Sequence, residues 1–161
     1  MTQGQIRNDR RFQQDTGQRS TQQHNERPNP PEIKFWIDKE NNLINPELFS
    51  EIAEKWSFYV SKNPDKKRNK RSQIHKFYDE VLSLYNRLKN TPENFNNFLP
   101  FIKMIRAKVY YSLGREHIGD DFKDMMEKCL NQIETWKDFE VFKNFFEAFM
   151  GYYRFHRPKE Y

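Results

Sequence analysis

From residue 45 onward, apolar residues recur every three or four positions, the spacing that lines one face of an α-helix. Leu48, Ile52, Trp56 and Tyr59 form the first stripe, widened by Phe49, Ala53 and Val60. Asn45 offers a capping side chain, Pro46 suits a first helical position, and Pro64 ends the segment. A second helix is predicted from Ser72 to Lys89. Ile74, Phe77, Tyr78, Val81, Leu82, Leu84, Tyr85 and Leu88 fall within about 160° of its circumference. Lys76, Asp79, Glu80, Ser83 and Arg87 take the other side.

A third helical stretch runs from about Glu93 to Leu113, with Pro100 expected to break or kink it. Phe95, Phe98, Leu99, Ile102, Ile105, Val109 and Leu113 share one face. Met104, Ala107 and Tyr111 make the reverse face apolar too, so this helix is expected to lie centrally. Gly114 is its expected C-terminal cap. A fourth helix starts near Asp120 and carries Phe122, Met125, Met126, Cys129, Leu130, Ile133 and Trp136 on one stripe. Asp138 is expected to cap a fifth, which Phe142, Phe145, Phe146, Phe149, Met150, Tyr152 and Tyr153 line until Pro158 stops it. Upstream, Ile33-Lys-Phe-Trp-Ile37 alternates and favours β structure, reading as an extended piece without a partner strand, packed outside the helices. The fold class is all-α, a compact bundle of about five helices.

Composition divides the chain in two. Residues 1–31 are rich in Gln, Asn, Arg and Thr and closed by Pro28, Pro30 and Pro31, with Ile6 and Phe12 their large apolar residues besides Met1. Such a segment cannot offset its ordering entropy by burial, and a disordered tail is expected. Residues 32–161 form a single domain. The whole chain is 16% aromatic and Phe12 is the only aromatic residue of the tail, so that domain has ample material for a core.

Candidate chemistry is sparse. His24, His75, His117 and His156 show no metal-ligand spacing, and no phosphate-cradling loop or nucleophile elbow occurs among only five glycines. Asp120-Asp121 suits a helix N-terminus, where acids are favoured electrostatically, better than an acid–base pair. Cys129, the only cysteine, rules out an intramolecular disulfide and a cysteine-rich zinc site, and its apolar stripe predicts a buried, inert thiol. His75 sits in a first turn beside bulky neighbours, a poor setting for phosphotransfer. No catalytic residue, metal or cofactor is expected. No apolar run approaches the roughly 20 residues needed to span a bilayer, and no signal-peptide core opens the chain, so a cytoplasmic protein is expected.

The net charge of +5 makes an acidic partner the expectation, nucleic acid first. Lys66, Lys67, Arg68, Lys70 and Arg71 form a dense run before the second helix, with Lys76 following inside it. Lys103, Arg106, Lys108 and Arg115 form a second set on the third helix and its exit. Arg106 falls within the apolar stripe, where it must snorkel, pair with an acid or face a polyanion. Of these, an internal pair is the leading expectation.

Three segments carry a family resemblance. Ser72-Gln-Ile-His-Lys-Phe-Tyr-Asp-Glu-Val81, Arg106-Ala-Lys-Val-Tyr-Tyr-Ser-Leu-Gly-Arg115 and Phe145-Phe-Glu-Ala-Phe-Met-Gly-Tyr152 resemble, in order, the opening, central and closing helical motifs of the small subunit of Csm-type (type III-A) CRISPR effector complexes. The resemblance covers about Asn45 to Phe155. It implies a non-catalytic antiviral-defence subunit that stacks into a short filament beside the backbone subunits and large subunit, lining the channel that holds guide crRNA and target RNA. Lys76, Arg106, Lys108 and Arg115 fall on the family's basic positions. His75 stands where arginine is expected, so a phosphate contact there is weakened and pH-sensitive, with Lys70 and Arg71 as substitutes. Glu147 matches an acidic position, to pair with Arg154 or Lys143 or to touch another subunit.

The expected RNA-binding set is therefore Lys67, Arg68, Lys70, Arg71, His75, Lys76, Arg106, Lys108 and Arg115. Its expected mode is sequence-independent phosphate contact, with specificity left to base pairing. The competing reading is a helical protein-interaction scaffold without a nucleic-acid role.

Overall fold

A computed structural model describes residues 27–159. Five α-helices dominate: α1 (Ala53–Ser61), α2 (Arg71–Leu88), α3 (Phe95–Gly114), α4 (Asp120–Leu130) and α5 (Trp136–His156). A single π turn, Leu48–Ile52, leads into α1, and a 3₁₀ turn, Pro92–Asn94, leads into α3. Asn45 does not cap the helix directly: its side chain accepts from the Glu47 amide (3.1 Å) in the turn before the π segment.

The central element is α5, packed against α1 and α2, while α3 lies at the periphery against α4 and α2. The expectation of a central α3 fails. Its inner residues Phe95, Ile102, Ile105 and Val109 are buried, but Phe101, Met104 and Tyr111 face solvent. Apolar residues on two faces did not mean burial on two faces. Pro100 stands inside α3, which continues through it unbroken.

Along α5, aromatic rings contact one another in series at helical spacing. Trp136, Phe139, Phe142, Phe146, Phe149 and Tyr153 follow with centroid separations of 6.0, 6.4, 6.0, 5.9 and 5.2 Å. Each such pair adds to the stabilisation already given by burial. The ladder is the spine of the bundle.

Two helix ends differ from expectation. Thr135, not Asp138, is the N-cap of α5; Asp138 is the third residue of a reciprocal capping box. That box starts α5 at Trp136, and the fourth helix ends earlier than expected, at Leu130. Burial alone would raise the Asp138 carboxyl. The Glu134 amide, Trp36 indole, Lys39 ammonium and Thr135 amide outweigh it and hold the carboxyl below its ordinary range. Thr135→Ala should cost about 1 kcal/mol, read as a lowered chemical-denaturation midpoint at constant slope.

Gly114 is not the left-handed cap of α3 either. Glu116 takes that conformation (φ 61°), with bonds from its amide to the Leu113 carbonyl and from the His117 amide to the Ser112 carbonyl. This is a Schellman ending with a non-glycine residue at its strained position.

The extended piece has a partner. Trp36–Asp38 (β1) pairs antiparallel with Leu43–Ile44 (β2), and Asn42 adopts positive φ at the connecting turn. It is also not external, because Ile33 and Phe35 are buried in the core. Trp36 Nε1 donates to Asp138 Oδ1 (2.8 Å), which ties the hairpin to the start of α5. Of the expected tail, residues 1–26 lie outside the described residues. Residues 27–31 run along α1, with the Pro31 carbonyl accepting from Trp56 Nε1 (2.8 Å).

Candidate nucleic-acid interface

The loop between α1 and α2 carries the first basic run, and buried polar groups set its shape. Asn69 is fully buried with φ 56°. Its amide nitrogen Nδ2 donates to the Val60 carbonyl (3.2 Å) and Asp121 Oδ1 (2.7 Å). Its Oδ1 accepts from the Gly119 amide (2.7 Å), and its backbone N–H reaches the His117 carbonyl (3.0 Å). The α3–α4 turn thus wraps around this one side chain. The left-handed residue Glu116 ends α3 where that wrap begins. Gly119 is required by close approach, since a Cβ there would lie 2.2 Å from Asn63 Nδ2.

Asp121 completes the hub. It is buried and accepts from Asn63 Nδ2 (2.8 Å), Asn69 Nδ2 (2.7 Å) and Arg27 Nη1 (2.6 Å), besides the Phe122 amide. Simple helix capping at Asp120-Asp121 does not describe this carboxylate. Arg27 also donates to the Tyr59 carbonyl (2.9 Å) and lies 4.4 Å from the Tyr59 ring centre.

The far side of the loop is clamped from α5. Tyr153, the last ring of the ladder, donates to the Asn69 carbonyl (2.5 Å). The Arg157 guanidinium donates to the carbonyls of Arg68, Asn69 and Lys66, each at 2.7 Å. Three chain segments thus hold the basic loop from beneath.

On that base the predicted cations fall into separate groups. Lys67 is exposed, and its amide donates to Asp65 Oδ1 (2.9 Å). That amide, aided by the Arg68 side chain, holds the Asp65 carboxyl below its usual range. Arg68 is held between Asp65 (3.3 Å) and Glu116 (3.0 Å) and is largely structural. Lys70 is the half-buried N-cap residue of α2. Arg71 and His75 line an open groove of about 460 Å³ between α2 and α5, together with Arg154 and Glu147. His75 Nδ1 lies 3.0 Å from Asp79 Oδ2. Glu147 is paired with Lys143 (2.8 Å), one of its two expected partners.

Lys76 and Lys108 come together. They line one groove of about 240 Å³ between α2 and α3, with Gln73, Glu80, Tyr111 and Ser112. Lys108 pairs with Glu80 across it. Arg115 lies over the Tyr111 ring, 5.6 Å from its centre, and donates to its hydroxyl (3.2 Å). Among the described residues, neither Lys76 nor Arg115 has a carboxylate partner.

Arg106 points elsewhere. It pairs with Glu127 on α4 (3.0 Å) and lies 5.6 Å from the Tyr110 ring centre. Pairing with an acid is thus correct, but the pair is at the surface, with the Arg106 side chain 58% exposed. The Tyr110 hydroxyl, with Arg106 behind it, holds the Glu127 carboxyl below its ordinary range. Lys103 donates to the Leu130 carbonyl (2.6 Å) at the end of α4, and burial lowers its pKa. It caps a helix.

Among the described residues no group of three or more His, Cys, Asp or Glu side chains could hold a metal ion, and no helix is long and apolar enough to cross a membrane. Cys129 is buried and its thiol pKa is pushed up by desolvation, so it is unreactive. Burial likewise lowers the His156 pKa, despite Glu54 nearby.

Family comparison decides what kind of protein carries these surfaces. The model of the Csm2 Type III-A family matches residues 44–159. The chain belongs to that family. It is therefore a small subunit of a type III-A CRISPR effector complex. As a Csm2 chain it associates with the other Csm subunits, and the family is a non-catalytic one. The match spans all five α-helices and leaves β1 outside it. No curated protein and no solved structure matches the chain.

Sequence reasoning missed Arg27, Asn63, Asn69, Asp121, Tyr153 and Arg157 as determinants of the basic loop. One signal was available: Asn69 interrupts a run of cations, where a short polar residue able to take positive φ is unusual enough to mark a turn.

Proposed function

We propose that this Csm2 subunit contacts the phosphates of guide and target RNA from the α2–α3 face and the 66–71 loop, while stacking with further copies along the backbone filament. Cleavage is left to other subunits. The observation that carries this reading is the convergence of Lys76 and Lys108 on one groove, with Arg115 over the Tyr111 ring that lines it. Cations fixed on rigid helices suit a ligand read by its backbone alone. The loop cations Lys67, Lys70 and Arg71 extend the same charge.

With about three to four phosphates held per subunit, the log–log salt slope on single-stranded RNA should be roughly −2 to −3. Lys76→Glu and Lys108→Glu should each weaken binding and reduce the slope's magnitude by about one, with the circular dichroism spectrum unchanged. Wild-type affinity in both variants would remove the α2–α3 groove from the RNA path. An effector complex that keeps this subunit after RNase treatment, joined to a purified chain that binds no RNA, would favour the scaffold reading.

A further inference from the structure

We infer that the outward face of α3, formed by Phe101, Met104 and Tyr111, is a stacking platform for unpaired RNA bases. This contact is distinct from the phosphate clamps, although it rests on the RNA-contacting role proposed above. The three side chains are 53%, 45% and 66% exposed. At 100° per residue they fall within about 80° of the helix circumference, and Lys108 and Arg115 lie on the same stripe. Phe101 and Tyr111 stand about 15 Å apart along the axis, from a rise of 1.5 Å per residue.

Charge identifies the occupant. The twenty residues of α3 include no Asp or Glu; Lys108 lies on this face and Arg115 follows directly, whereas Lys103 and Arg106 turn towards α4. Arg115 and Lys108 beside the exposed rings favour a partner that carries negative charge and also offers flat apolar surface. Single-stranded nucleic acid does both, with a phosphate chain for the cations and a π-face on every base. Continuity strengthens the assignment: Tyr111 lines the groove that holds Lys76 and Lys108, so a strand anchored there brings its bases to that ring. The Arg115 guanidinium already lies over Tyr111 and adds a cation–π contact.

The test compares oligoadenylate with an abasic ribose-phosphate chain of the same length, both bound to the full chain. The wild type should prefer oligoadenylate. Tyr111→Ala should weaken oligoadenylate binding about tenfold and the abasic chain far less, since the abasic chain loses only the positioning of Arg115. Tyr111→Phe should restore wild-type affinity, and 2-aminopurine placed in the strand should be quenched by the wild type but not by Tyr111→Ala. Lys108→Glu should weaken both ligands alike. Equal wild-type affinity for the two chains overturns the stacking platform and leaves the phosphate reading standing. Binding of neither ligand overturns both. If Tyr111→Ala changes only self-association in sedimentation, the face belongs to a second copy of the chain and the inference fails.

Discussion

Asp121→Ala should lower the stability of the folded chain by about 3 kcal/mol and its Tm by roughly 10 °C. The carboxylate is buried and accepts from Asn63, Asn69 and Arg27 at 2.6–2.8 Å. Removing it leaves the Asn63 amide and one Asn69 N–H without their buried acceptor. Arg27 is partly exposed and can rehydrate, which keeps the expected loss at the lower end of the range for broken buried ion pairs. Function should suffer along with stability. Asn69 positions both the basic loop and the turn into α4, so amides 66–71 should lose hydrogen-exchange protection first. Retention of wild-type Tm to within about 2 °C, with unchanged loop exchange, would show that the hub does not hold the loop.

Phe146→Ala should cost about 3–5 kcal/mol. The ring is fully buried and touches four others: Phe142 at 6.0 Å, Phe149 at 5.9 Å, Phe122 at 6.2 Å and Tyr78 at 5.6 Å. These come from α5, α4 and α2, and three rigid helices cannot all close on one void. The size of the loss tests how far the ladder can relax. A loss below about 1.5 kcal/mol in denaturant unfolding would mean that Phe142 and Phe149 repack, and that the ladder is not the spine described here. RNA affinity measured well below the variant's Tm should stay near wild type, because the cations lie on α2, α3 and the loop. Asp121→Ala should differ on this point by loosening the loop itself.

Helix identity was legible because each segment carries its own amphipathic period, a local property. For α2 the reading was close to complete. The residues expected inside, from Ile74 to Leu88, are buried or half-buried, and those opposite include exposed Lys76, Asp79, Ser83 and Arg87. Helix ends were less legible. Asp138, Gly114 and Asn45 are all residues that can end or start helices, and each stands within three residues of the position that does so. The competing bonds that decided among them, such as Trp36 to Asp138, come from distant parts of the chain.

The candidate site divides along the same line. Which residues are cationic, and that they cluster before α2 and along α3, is written in the order of amino acids. So is the absence of any acid from α3, and so is the family. Which cations share a surface was not written there. Lys108 and Arg106 are two residues apart on one helix, yet one faces α2 and the other α4, because the burial of Ile102, Ile105 and Val109 sets the rotation of α3. The role of Asn69 was hidden for the same reason: a buried asparagine is recognisable only through the partners that satisfy it, here Val60, Asp121, His117, Gly119 and Tyr153. Periodicity, a short-range property, was enough to define the helices. Their packing, which pairs some charges and leaves others at the surface, decided which cations share a face.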